Sequence, residues 1–551
     1  SGSGFVVIRR KVGVPLPPEY RLSFNLRGNG PTNNFEIKLL DRSGENVWWV
    51  NNRDFAFPAE WEPNRFKRRH FSFAWGPSGG KPHAELGAIE FAIAASSGGK
   101  GTVDLSDLVL ESIPQVSEKP GNPKIVSYDG SVDLGNEASV ISKPTTVNWR
   151  TGWNMDDGTL TLSLGGVREF GGVIAEFDRG SLPGAMEVLV SNDGEHFSRL
   201  GGHRVPPTGR FYLPLRDAEA AFVRIKLRGV GQNGALMRTL EIAPLAFGES
   251  HNQTFARIAS DRPRGEFPRY FSPEQSYWTV VGVADDSKEG LLSSDGVLEV
   301  DKERFTLEPF LLRERGDGSG PELLSWSNAT MTQSLPKGYL PLPIVTRQHG
   351  PLSLQIQAFA FGPTGKSVLA ATYTLHNSGP ERQRGRFVLS MRPFQVNPPW
   401  QDLKTSGGIA RIDEIRWDGS AAIVTRLSPP DTKLVRFVGD NVRGIAAGFE
   451  GGESLDRIAG MRFEELATDT VQDATGLANG AFVVEFDLGS GEKREWAVVV
   501  PLHDAGDLPV LANAPALEAI ASLARERDLV SSWWVDQLNL VRLELPPSGS
   551  A

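Results

Sequence analysis

The chain of 551 residues contains no cysteine. That excludes a disulfide framework, a thiolate nucleophile, a zinc ribbon and any cysteine-held cluster. Long apolar runs are also missing: none approaches the ~18 residues of a membrane-spanning helix. The opening SGSGFVVIRR lacks the charged and apolar pattern of a secretory leader. A basic excess is absent too. Lys and Arg number 58 against 67 Asp and Glu, for a net charge of −9, which argues against a nucleic-acid binder. The eight histidines never fall at i, i+2 or i, i+4 spacing, so no local metal pair exists. No G-x-S-x-G elbow occurs, nor the βα alternation of an α/β-hydrolase.

Turn and aromatic residues are plentiful instead. Glycine (60) and proline (38) approach a fifth of the chain, with 29 Phe and 13 Trp against 6 Met. This composition suits many short strands joined by tight turns, and the length predicts three or four domains at ~150 residues each. Period-2 alternation dominates, as in YRLSFNL (20–26), NFEIKLL (34–40), AIEFAIA (88–94) and TVDLSDLVL (102–110). The stretch SEKPGNPK (117–124) is nearly devoid of apolar residues and reads as a linker. Strands resume from Ile125 to Phe247, where Asp193-Gly194 marks a hairpin. A longer strand-rich block, from Ser250 to Leu511, fits one large sandwich better than two small ones. One long helix is expected after Pro515, with Leu517, Ile520, Leu523, Val530, Trp534, Leu538 and Val541 on its apolar stripe.

Two phosphate-loop look-alikes fail on context. GPTGKS (362–367) joins two strands and reads as a hairpin turn, and GVGQNG (229–234) precedes no helix that could hold a pyrophosphate. Asp156-Asp157-Gly158 offers oxygens to calcium but lacks further ligands, so a turn is the better reading. No metal or cofactor is expected. Aromatics beside polar groups remain. Trp48 and Trp49 precede Asn51, Asn52, Arg53 and Asp54, with Trp61 and Trp75 nearby. Adjacent residues of a strand point to opposite faces, so one Trp is expected in the core and the other exposed or at a cleft. An aromatic plate beside amide and guanidinium groups suits a sugar ring, which stacks its C–H face and bonds through its hydroxyls. The candidate carbohydrate site is therefore Trp48, Trp49, Asn51, Arg53 and, in the second block, Trp153. A purely structural role for both adjacent tryptophans stays open. In the third block Arg269, Tyr270, Glu274, Gln275, Tyr277 and Trp278 gather within ten positions, as a cleft or as an interface loop.

The segments NNFEIKLLDRSGENVWW, FAWGPSGG and AIEFAIAASSGGKGTVDLSDLVL resemble the jelly-roll sandwich of bacterial carbohydrate-binding modules. NWRTGW, TLTLSLGGVREFGGVIAEF, MEVLVSNDGEHFSRL and AFVRIKLRG are similar to coagulation-factor 5/8 type C, or discoidin-like, domains. The whole order, with PRYFSPEQSYWTVVG, QSLPKGYLPLPIV and RPFQVNPPWQ, resembles bacterial multidomain proteins of that type. The resemblance implies an all-β chain: two galactose-binding-like jelly-roll sandwiches (1–116 and 124–247), a large β-sandwich (250–511), and a C-terminal linker helix and tail (514–545). It implies an oligo- or polysaccharide partner and a helical (α/α)6 catalytic barrel beyond Ala551, on which the helix with Trp533 and Trp534 would dock. The chain then reads as the front part of a larger glycan-active enzyme, bacterial and cytoplasmic or periplasmic. A stand-alone glycan-binding or adhesion protein, and an enzyme with its site around Glu274, are the alternatives.

Overall fold

Alternation in the sequence becomes alternation of burial in the structure, a computed structural model. It describes residues 4–540 apart from 82–83, 97, 134–139, 153–154, 402–406, 428–429, 469 and 504–514. The first eight strands are β1 (Phe5–Pro15), β2 (Tyr20–Asn29), β3 (Asn33–Leu40), β4 (Val47–Phe55), β5 (Glu62–Lys67), β6 (Ser72–Trp75), β7 (Glu85–Ala94) and β8 (Thr102–Ser112). They form a five-stranded sheet in the order β1-β7-β3-β4-β6 and a three-stranded sheet in the order β5-β2-β8. In β2 every second residue from Tyr20 to Leu26 is buried, and Phe24 meets Phe35, Phe66 and Phe91 from the other elements. Each such side chain contributes about 1.5–3 kcal/mol on leaving water. In a chain without cysteine these contacts replace cross-links.

The stretch 117–124 has no strand before Lys124, yet it is pinned to the second block by Ser117 N–H to Val167 O (2.9 Å) and Gly121 N–H to Gly165 O (2.7 Å). Residues 124–243 build a single seven-stranded sheet. TLTLSL (159–164) and GGVIAEF (171–177) belong to one continuous strand, Asp157–Phe177, paired along its length with Arg210–Arg228. The physical reason is local. Gly165 and Gly166 adopt φ of 76° and 141°, which only glycine does cheaply. The register shifts there between Ser163 and Arg168, so the strand turns the corner without ending. Both halves face one core around Trp149, Phe170 and Phe211. Asp193-Gly194 lies in the hairpin between Ala185–Ser191 and Ser198–Arg204.

Beyond it, an eight-stranded and a nine-stranded sheet pack face to face. Their shared core includes Trp496 stacked on Phe387 at 4.8 Å. GPTGKS is the hairpin between Leu352–Phe361 and Val368–Asn377, and GVGQNG joins two strands. Short helices at Leu245–Glu249, His251–Ser260 and Ser454–Gly460 carry no clear signal in the sequence. All the strand pairs named above are antiparallel, so the chain is all-β and sandwich-like, with one long helix at the end.

That helix spans Ala516–Leu538. Ala519 and Leu523 are buried, and Ile520, Val530, Trp534 and Val535 pack beside them on Leu340, Phe359, Val438 and Val499 of the large sandwich. Ile520, Leu523, Val530 and Trp534 of the expected stripe thus pack on the sheet, whereas towards the helix ends Leu517 is 80% exposed and Leu538 43%, and Val541 lies outside the described residues. No helix among the described residues is long and apolar enough to cross a membrane.

Candidate functional site

Strand β4 divides its two tryptophans between the two sides of the five-stranded sheet. Trp48 turns inward, is 6% exposed, and meets Phe73 edge-on at 5.6 Å. Trp49 turns outward and is half-buried, with Trp75 of β6 at 5.6 Å and 79°. Trp75 keeps 48% of its surface exposed. Cross-strand register builds a row across the outer face: Arg9, Glu90, Lys38, Trp49 and Ser72. Arg9 pairs with Glu90, and Lys38 Nζ with Glu36 at 2.7 Å. The same ammonium lies 6.0 Å from the Trp49 ring centroid and 5.5 Å from that of Trp75, within reach of a cation–π attraction. Asn51 is opposite Glu36 in the register. Its Oδ1 is shielded from solvent without a hydrogen-bond partner among the described residues. Arg53, two positions on, is exposed.

The plate is therefore Trp49 with Trp75, backed by Lys38 and Glu36. Trp48, expected in the same site, is on the opposite face, a correction that follows from the pleat. Trp153 lies outside the described residues. Trp149 is fully buried and donates Nε1–H to Asp129 O at 2.7 Å. The sequence alone did not pair Trp75 with Trp49, because that contact depends on which strands become neighbours. Asp157, the calcium candidate, has its carboxylate committed to Arg228 at 2.5 Å and Lys226 at 3.3 Å.

The third-block residues are largely engaged with one another and with neighbouring backbone. Glu274 is clamped by Arg264, whose Nε reaches Oε1 at 2.8 Å, and by Arg269, whose Nη1 reaches Oε2 at 3.0 Å. Arg269 also holds Asp295 through Nε and Nη2 at 3.0 and 2.6 Å. Both guanidiniums lie over the Trp326 ring, at 4.5 and 4.7 Å. Both oxygens of this carboxylate thus accept charge-assisted hydrogen bonds from guanidinium groups. Tyr270 is buried, its hydroxyl 3.1 Å from Gln395 O and 3.2 Å from Gly408 O. Burial pushes that phenol well above its usual range. Gln275 donates to Ser276 O at 2.9 Å, Tyr277 is 66% exposed, and Trp278 packs against Leu291 and Val396.

Two acids escaped the sequence altogether. Burial pushes Glu299 up to about 8, against the opposing N–H groups of Val396 and Glu303. Glu308, also raised by burial, is paired with Arg392 at 3.2 Å. At 1% and 2% exposure neither reaches solvent, so both are internal braces. Among the described residues no group of three or more His, Asp or Glu side chains is placed to hold a metal.

No family model matches the chain, and no curated protein matches it. Solved structures do. A Ruminococcus gnavus GH29 fucosidase in complex with fucose is 15% identical, over 18% of this chain and 20% of that one, with a TM-score of 0.17. The module CpGH89CBM32-5 from Clostridium perfringens, in complex with GalNAc-β-1,3-galactose, is 22% identical over 21% of this chain and 93% of its own, at a TM-score of 0.18. The CBM32-1 and CBM32-2 domains of Clostridium perfringens ZmpB are 8% identical over 69% of this chain and 88% of theirs, at 0.19. The chain spans 20% and 24% of the lengths of the two fucosidase structures it matches. At such TM-scores these likenesses carry no argument, and the site must stand on its own geometry.

Proposed function

We propose that this chain is the carbohydrate-binding and scaffold portion of a glycan-active protein of glycoside-hydrolase type. In this reading the modules are 1–116, 124–247 and 250–511, and the segment 514–545 leads to a helical catalytic domain. One observation carries the binding reading: the right-angled Trp49–Trp75 pair, exposed on a sheet face and backed by the Lys38–Glu36 ion pair. A sugar ring stacks on the Trp75 face, while the ammonium, carboxylate and Arg53 guanidinium bond its hydroxyls. Leu529 at 65% and Trp533 at 43% exposure, beside the packed stripe of the helix, support a further docking partner there.

Affinity electrophoresis through gels containing galactan, arabinoxylan or mucin tests the binding reading. Retardation of the whole chain should weaken several-fold in Trp49→Ala and in Trp75→Ala, since an aromatic contact contributes on the order of 1 kcal/mol. Circular dichroism checks that each variant folds. Equal retardation of both variants and the parent chain removes the plate.

A further inference from the structure

Trp48 faces away from the plate, but it does not vanish into solid core. It borders a cavity of about 570 Å³ framed by the β1–β2 and β5–β6 connections and by Gly80 and Ala84. Tyr20, Phe71 and Phe73 share its wall with Trp48. Tyr20, Trp48 and Phe71 are 3%, 6% and 7% exposed, so the recess ends on the core of the sandwich. Its volume falls within the roughly 300–1,000 Å³ of small-molecule sites, and an aromatic lining with a few polar groups is their usual chemistry.

Three charged side chains border the recess: Glu19, Arg68 and Arg69. Arg69 is committed elsewhere, to Glu169 and Asp217 of the second sandwich. Arg68 is positioned by one bond, Nη1–H to Pro18 O at 2.7 Å, and no ion pair engages it or Glu19 among the described residues. Both charges act on the Tyr20 phenol. Burial raises that group to about 12, Glu19 adds to the rise, and Arg68 opposes it. A fixed donor and an acceptor thus border the same aromatic recess.

We propose that this recess is a second carbohydrate subsite, which takes the terminal ring of a glycan where the outer plate takes the body of a chain. The inference deepens the proposed function and rests on it. The ring lays its C–H face against Phe73 and meets the edge of Trp48, Arg68 donates to neighbouring hydroxyls, and Glu19 accepts from one. A recess that ends on the core admits the end of a chain and stops its middle.

Saturation-transfer NMR on the full chain tests this, with the methyl pyranosides of glucose, galactose, mannose and N-acetylglucosamine as probes. At least one should receive saturation from the parent protein. The signal should fall about tenfold in Arg68→Ala and in the isosteric Glu19→Gln, and persist in Trp75→Ala. Arg68→Ala should keep its retardation in polysaccharide gels, so the two sites fail independently. The subsite is overturned if no probe receives saturation, if Arg68→Ala and Glu19→Gln leave the signal unchanged, or if Trp75→Ala alone abolishes it.

Discussion

Lys67 Nζ lies 2.9 Å from Asp217 Oδ1, across the junction between the first and second sandwiches. Glu219 Oε2 at 2.5 Å and Glu169 Oε1 at 3.0 Å complete a ring of carboxylates around an ammonium that is 3% exposed. Arg69 pairs with Glu169 and Asp217 from the rim, and Arg21 with Glu219 at 3.3 Å. A lysine stripped of water is tolerable only with such partners. Its charge therefore ties the two sandwiches, and the recess beside Arg69, into one arrangement.

Removing the ammonium leaves three carboxylates with only Arg69 and Arg21 at the rim to offset them. Lys67→Met should destabilise the junction by about 3–5 kcal/mol, the cost of breaking a buried pair from one side. Limited proteolysis should then cut within 117–124, which the parent chain protects through its bonds to Val167 and Gly165. Parent-like resistance in the variant would show that the ion cluster does not hold the junction.

Acid should open the same junction. Burial pushes the Asp217 carboxyl up, but the Lys67 and Arg69 groups outweigh it and hold it below its ordinary 3.8. A carboxyl depressed in the folded state stabilises above its unfolded value, and that stability is lost as pH falls through the folded one. Small-angle scattering from pH 6 to pH 2.5 should show the radius of gyration rising only below about pH 4. In Asp217→Asn that step should shrink, and an unchanged step would place the acid sensitivity elsewhere.

His349 sets a second, higher window. Burial, reinforced by Arg347, drives the imidazole from 6.5 down to about 4, and its Nε2 has no hydrogen-bond partner among the described residues. Arg313 also lowers it, while Glu322 and the Asn328 carbonyl act the other way. The depressed value means stability is complete above 6.5 and drains as pH falls toward 4. The loss is on the order of 3 kcal/mol, because each tenfold weakening of proton affinity on folding corresponds to about 1.4 kcal/mol. Urea midpoints at pH 7 and pH 5 should differ in the parent chain and converge in His349→Gln. Equal pH dependence in both proteins rejects the assignment.

Such groups mark the boundary of what the residues disclose in order. Strand β2 was legible because its buried face recurs every second position, and the Asp193-Gly194 hairpin because the turn chemistry is local. The split of Trp48 from Trp49 followed from the pleat alone. The continuous strand through Gly165-Gly166 was not legible, because a glycine pair ends one strand as readily as it bends another. Lys67, Glu169, Asp217 and Glu219 are separated by up to 152 positions, and only tertiary packing brings them together. The same holds for Trp75 meeting Trp49, and for the Arg68 recess.

The terminal helix packs through the middle of the stripe that periodicity picks out and leaves an apolar residue off that stripe in solvent. Leu523, at 1% exposure, is wedged against the nine-stranded sheet, whereas Leu529 is 65% exposed. Leu523→Ala should cost about 2–5 kcal/mol through the cavity it opens. Leu529→Ala should stay within about 0.5 kcal/mol. Because Trp534 packs in the same contact, loosening the helix should shift tryptophan emission to longer wavelength in the first variant only. Comparable losses in both variants would mean that the helix is held by the face turned away from the sandwich, and its docking through Leu523 would be wrong.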